Sequence, residues 1–278
     1  MLGLNVPILM YHGVSADVGP KFRPFVISPA LFSAHLDHLQ RQRYTPISVT
    51  QLVRARAAGD DEMLRRAVVL TFDDGFADFH RHALPALRQR GFGATLYVAT
   101  AYVGGAARWL QREGEGDRPM MTWDQLADCG AGGIEVGGHS QRHAHLDTLP
   151  AMQVWDEVAG CRRALEDRLG REVLSFAYPF GHQTAATRRV VESAGYTSAC
   201  AVRYELSRPS DDPFALARLL VPADMSVDRL AAMIERGDPA VKTAFRRARF
   251  WAWQLARRGA ASLQRSGRSE SGKIRVVA

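Results

Sequence analysis

Two adjacent carboxylates, Asp73 and Asp74, stand at the end of the apolar run Val68-Val69-Leu70-Thr71-Phe72 and are followed by Gly75. Such a run reads as a strand buried on both faces. Successive strand side chains point to opposite faces, so two neighbouring Asp can serve one site only where the strand stops and the chain turns. Gly75 permits that turn. Buried carboxylates are costly unless paired, hydrogen-bonded or metal-bound. The pattern therefore reads as a metal ligand beside a general base, against the alternative of a solvated Asp-Asp-Gly turn. The residue types leave open which Asp would take which role. In Gly137-Gly138-His139-Ser140-Gln141-Arg142-His143, two His lie four apart. That spacing can set both imidazoles on one side of a turn. Two His with one carboxylate form a common zinc set with positions open for water and substrate. The same set suits iron and other divalent ions.

The elements that would position these residues alternate strand and helix. Pro7-Ile8-Leu9-Met10-Tyr11 reads as a short strand delivering His12 to its C-terminal end. Ser28-Pro29 opens a helix with Leu31, Phe32, His35, Leu36 and Leu39 at helical spacing. Strands are expected at 44–48, 68–72, 94–99, 134–138, 174–178, 197–202 and 216–221. Helices are expected at 50–58, 77–90, 122–129, 150–170, from 182 to 194, and from 226 to 235. Residues 104–121 are polar and glycine-rich, the composition of a long loop over a binding site. The order implies an α/β fold with a parallel sheet. His12, Asp73, Asp74, His139 and Pro179 all fall just after strands. That is the C-terminal face, where α/β barrels place their active sites.

The chain has 278 residues, long enough for one barrel domain. No run of about 18 apolar residues marks a transmembrane helix, and residues 1–7 lack the features of a secretory signal. Cys129, Cys161 and Cys200 are odd in number and widely spaced, which fits buried free thiols in a reducing cytoplasm. The net charge of +7 is unevenly placed: residues 239–278 carry ten Lys or Arg and a single acid, Glu270. The chain thus divides into a barrel, 1–238, and a basic amphipathic tail, 239–278. Val241, Phe245, Ala248, Ala252 and Leu255 recur at helical spacing among arginines. Residues 241–258 read as a helix lying on an anionic membrane or packed on the barrel, with no specific nucleic-acid partner expected.

Thr71-Phe72-Asp73-Asp74-Gly75, then His139-Ser140-Gln141-Arg142-His143, then Tyr178-Pro179-Phe180-Gly181 resembles, in order and separation, the polysaccharide deacetylase (NodB-homology, carbohydrate esterase 4) family. The resemblance covers residues 6 to 236. Leu9-Met10-Tyr11-His12 looks like the branch of the poly-N-acetylglucosamine deacetylases. The resemblance implies a distorted (β/α) barrel of about seven parallel strands. It implies metal ligands Asp74, His139 and His143, with Zn2+ first and Co2+, Ni2+ or Fe2+ as alternatives. It implies Asp73 as general base, the backbone N–H of Phe180 as oxyanion donor with Pro179 shaping its loop, and His12 as candidate general acid. Tyr178 and Pro179 are expected to bind substrate, and Trp109, Trp123 and Tyr178 are candidates for sugar-stacking surface. Two departures stand out: the motif's usual arginine is replaced by Ala177, and the usual C-terminal Leu-x-His is absent. Arg218 is a candidate to hold Asp73 instead. His35, His38, His80 and His82 read as structural, and His182 as within reach of the site rim.

The implied activity is metal-dependent hydrolysis of an N-acetyl group on an amino sugar, in a glycan or glycan precursor of exopolysaccharide or cell-surface polysaccharide synthesis. The expected location is the cytoplasm, peripheral at the inner membrane face if the tail binds lipid. O-acetyl or non-sugar amide hydrolysis on the same scaffold, or a non-catalytic glycan-binding relative, are the alternatives.

Overall fold

The computed structural model describes residues 3–237. The basic tail lies outside the described residues, as does the membrane or barrel contact expected of it. Ten strands form: β1 Ile8–Tyr11, β2 Gly13–Val14, β3 Val26–Ile27, β4 Thr45–Ile47, β5 Ala67–Phe72, β6 Ala94–Val98, β7 Ile134–Gly138, β8 Ser175–Ala177, β9 Ser198–Cys200 and β10 Leu219–Leu220. Eight α-helices alternate with them: α1 Pro29–Arg41, α2 Val49–Ala58, α3 Asp61–Leu64, α4 Leu84–Gln89, α5 Trp123–Ala131, α6 Ala151–Leu169, α7 Ala185–Ser193 and α8 Val227–Arg236. Several starts follow from local chemistry. Ser28 accepts from the Leu31 N–H ahead of α1, and Ser48–Gln51 and Thr122–Gln125 form reciprocal caps on α2 and α5.

The main sheet is parallel throughout and runs β10-β1-β5-β6-β7-β8-β9. β4 pairs with the first half of β5, from Thr45↔Ala67 to Ile47↔Val69, and β6 takes over the same edge at Thr71↔Thr95. At the other end, Leu216 bridges to Cys200 just before the chain enters β10. The seven-stranded path therefore curls into a distorted barrel, closed at one side by a single bridge. β1, β5 and β6 are buried along their whole length, as expected of strands covered on both faces. Parallel pairing with helical crossovers brings every strand's C-terminus to one rim, and His12, Asp73, His139 and Tyr178 follow there.

Two elements depart from expectation. The helix expected from residue 77 opens with a π-helical turn, Phe79–Ala83, before α4. Pro85 has no N–H to offer the carbonyl four residues back, so the regular ladder cannot pass through it. Segment 104–121 carries a 3₁₀ helix, Arg108–Glu113, and is pinned by antiparallel bridges Ala106↔Pro119 and Phe76↔Met120. Among the described residues no helix is long and apolar enough to cross a membrane.

Phe72 shows how tightly the rim is supported. Its ring stacks on Tyr11 at 5.3 Å and meets Phe32 and Phe79 edge-on at 5.7 and 4.8 Å. Phe72→Ala should lower stability by about 3–5 kcal/mol, read as a fall in the urea unfolding midpoint.

Candidate active site and metal centre

β5 ends at Phe72, yet the Asp73 N–H still donates to the Tyr11 carbonyl at 3.0 Å. The break comes one residue later. Asp74 adopts φ +81 and Gly75 φ +88, left-handed values that a non-glycine residue holds at a cost of about 1–3 kcal/mol. That turn removes the strand alternation, so both carboxylates line one cavity of about 380 Å³ with His12, His139, His143 and Phe180.

Each carboxylate has a separate set of partners. Arg218 Nη1 donates to Asp73 Oδ1 at 2.6 Å and Nη2 to Oδ2 at 2.8 Å. Both residues are buried, Arg218 completely. Arg218 also reaches Thr71 Oγ1 and the Ala201 carbonyl. Burial alone would push the Asp73 carboxyl up. The Arg218 guanidinium outweighs it, so the group sits below its ordinary range and is ionised at neutral pH. Asp74 instead faces the imidazoles. Its Oδ1 lies 3.2 Å from His143 Nε2 and 3.6 Å from His139 Nε2. Burial again opposes ionisation, and His143, His12 and His139 together hold the Asp74 carboxyl down at about 2.

His139 follows β7, whose last residue is Gly138; a Cβ there would collide with the Tyr196 hydroxyl. His139 Nδ1 donates to the Ala177 carbonyl at 2.7 Å, which fixes the tautomer and leaves Nε2 as the free lone pair. Ala177 thus serves through its backbone where the motif usually places an arginine. Burial lowers His139 to about 4, with Asp73 and Asp74 acting against that fall, so the ring is neutral. His143 is held by packing: Trp109 stacks on its ring at 5.0 Å and Phe180 meets it edge-on at 4.6 Å. Its loop is anchored by Glu157 of α6, which accepts from the Arg142 N–H at 2.8 Å. Ser140, His143 and Phe180 also have left-handed φ, at +60, +54 and +60.

Asp74, His139 and His143 each offer one donor atom, all within 4.8 Å of one another and all buried. Asp74 Oδ1 makes no hydrogen bond among the described residues. A buried carboxylate oxygen beside two imidazole nitrogens fits a divalent ion of the zinc type. His12 is half-buried at the end of β1, and its Nδ1 is shielded from solvent with no hydrogen-bond partner among the described residues.

Other expected residues lie elsewhere. Tyr178 is fully buried, packs edge-on against Phe176 and donates its hydroxyl to the Phe214 carbonyl. Pro179 opens the 3₁₀ turn Pro179–Gly181 and is buried too, and neither it nor Tyr178 lines the cavity. Trp123 packs on the core beneath Arg168. Trp109 and His182 do line the cavity. So do Phe22, Phe25, Glu113 and Tyr204, which carry no motif and lie in irregular segments; no periodic signal could have found them.

The sequence profile of the polysaccharide deacetylase family matches residues 60–199. YxkH of Bacillus subtilis, whose name also carries the words polysaccharide deacetylase, is 24% identical over 231 residues, covering 83% of this chain and 76% of its own. Among solved structures, the deacetylase PplD of Streptococcus pyogenes in complex with acetate is 22% identical with a TM-score of 0.72, covering 84% of this chain and 99% of its own. IcaB of Ammonifex degensii is 25% identical with a TM-score of 0.70, covering 84% and 98%.

The histidine burial gives a pH dependence. His139 would titrate near 6.5 when unfolded and near 4 when folded, so protonation favours the unfolded chain. Its contribution is complete above about pH 6.5 and lost as pH falls toward 4. Metal-free protein should therefore lose about 2 kcal/mol of urea-unfolding stability from this group between pH 7 and pH 5. His139→Gln should flatten that slope, with His35, also lowered by burial, accounting for the remainder.

Proposed function

The chain belongs to the polysaccharide deacetylase family, hydrolases of amide and ester bonds, and from that premise we propose that it removes an N-acetyl group from an amino sugar of a glycan or glycan precursor. The observation that carries the reading is the split of two chain-adjacent carboxylates within one cavity. Asp74 faces two imidazoles and Asp73 is clamped by Arg218.

An amide carbonyl is a poor electrophile and water a poor nucleophile. A divalent ion held by Asp74, His139 and His143, most simply Zn2+, would polarise the acyl oxygen and acidify water. The remaining work falls to the chain's own groups. Asp73, ionised and oriented on both oxygens by Arg218, accepts the proton of the attacking water. Arg218 is thus a positioning residue for the base, in the place that Ala177 leaves. The Phe180 N–H, on a turn already strained into left-handed φ, donates to the developing oxyanion. His12, across the cavity, gives a proton to the leaving amine, a task suited to imidazole at neutral pH. The resemblance to poly-N-acetylglucosamine deacetylases supports N-acetylhexosamine polymers as the substrate class, in exopolysaccharide or cell-surface polysaccharide synthesis. Cys129, Cys161 and Cys200 are buried and unbridged, which supports work in a reducing compartment such as the cytoplasm.

Acetate release from a panel of N- and O-acetylated sugars tests this. Wild type should release acetate from N-acetylhexosamine oligomers, and Asp73→Asn should reduce the rate by about 10²-fold or more. Arg218→Ala should also slow turnover, by about tenfold or more, because the base loses its orientation; unchanged turnover would dismiss its role. Release from O-acetyl esters alone would overturn the N-deacetylase reading.

A further inference from the structure

Glu113 ends the 3₁₀ helix Arg108–Glu113 and lines the same cavity as the two Asp. The other acids of that segment are paired: Glu115 accepts from Arg118 at 2.8 Å and Asp117 from Arg108 at 2.6 Å. Glu113 differs. Its Oε2 is shut off from solvent and accepts no hydrogen bond among the described residues. Leaving such an oxygen unsatisfied costs about 1–3 kcal/mol or more, so it is poised to accept from a group that enters the cavity. An ionised carboxylate only accepts; the partner must be a donor.

The surroundings narrow the donor. The cavity that Glu113 lines also carries an apolar and aromatic share of wall, with Phe22, Phe25, Trp109, Leu110 and Leu220. Such faces suit the C–H side of a sugar ring, and an acceptor at their edge suits its hydroxyls. Charge narrows it further. Asp73 is neutralised by Arg218. Asp74 carries one negative charge against the two positive charges of a divalent ion, and Glu113 adds a second negative charge to the cavity. A sugar carrying phosphate or carboxylate at the Glu113 contact would meet that carboxylate and be repelled.

We infer that Glu113 is a specificity-determining residue, whose Oε2 accepts a hydrogen bond from a ring hydroxyl of the sugar being deacetylated and whose charge excludes anionic sugars from that contact. This rests on the deacetylase reading and names the substrate it selects: an uncharged, hydroxyl-bearing N-acetylhexosamine.

The test uses metal-loaded protein, a neutral N-acetylglucosamine oligomer and N-acetylglucosamine 6-phosphate. Acetate release gives KM and kcat; Trp109 in the cavity wall gives a separate binding readout by fluorescence. Wild type should bind and process the neutral oligomer in preference to the phosphorylated sugar. Glu113→Gln should raise KM and Kd for the neutral oligomer about fivefold and Glu113→Ala about tenfold, with kcat falling less than threefold. Both variants should narrow the gap to the phosphorylated sugar. Wild-type KM and Kd in both variants, or a lowered melting temperature as their sole effect, would overturn the inference while leaving the deacetylase reading intact. A wild type that prefers the phosphorylated sugar would also overturn it. No binding and no release by wild type itself would remove the deacetylase reading and this inference with it.

Discussion

Asp73 and Asp74 are chain neighbours, both almost wholly buried, and two like charges so close and so dry disfavour ionisation of at least one. The site depends on how that conflict is resolved. Arg218 takes Asp73 with two parallel hydrogen bonds, and a bidentate guanidinium is the strongest match a carboxylate finds among side chains. Asp74 is left to the imidazoles of His139 and His143. Both carboxylates can then stay charged, and they are chemically unlike: one is locked and oriented, the other offers an oxygen to a cation. Removing either partner set would leave a buried, uncompensated charge on the carboxylate it serves.

This arrangement is carried by backbone held away from its preferred angles. Asp74, Ser140, His143 and Phe180 all adopt left-handed φ, each at a cost that the surrounding sheet must hold in place. The parallel sheet supplies that hold. Asp73 still pairs with Tyr11, His139 donates its N–H to Val98, and Tyr178 donates to Cys200, so each turn starts from a residue fixed in the ladder. The rim of the barrel is thus rigid up to the last residue before each functional side chain, the condition under which a catalytic group keeps its geometry.

Much of this was legible in the sequence because the signals are periodic or chemical. Buried strands wrote themselves as Val-, Leu- and Ile-rich runs, and the Asp-Asp-Gly and His-x-x-x-His groups fell just beyond two of them. Arg218 was reachable by a different route: Ala177 left a gap, and Leu216-Ala217-Arg218-Leu219 put a cation on a neighbouring strand. What escaped has a common cause. Glu113, Phe25 and Tyr204 lie in irregular segments whose placement depends on long-range bridges such as Phe76↔Met120, not on local pattern. Tyr178 is buried in the core, and an aromatic next to a motif turn looks the same in sequence whether it faces the cavity or the core. The π-helical turn near Pro85 followed from a missing N–H whose effect on the preceding turns is not visible as periodicity.

The account's central claim is that the two adjacent carboxylates do different work, and a calorimetric Zn2+ titration of wild type, Asp73→Asn and Asp74→Asn measures it without any substrate. The account predicts one ion per chain for wild type and for Asp73→Asn, with affinities within about tenfold, and loss of binding in Asp74→Asn. Binding retained in Asp74→Asn and lost in Asp73→Asn would contradict it.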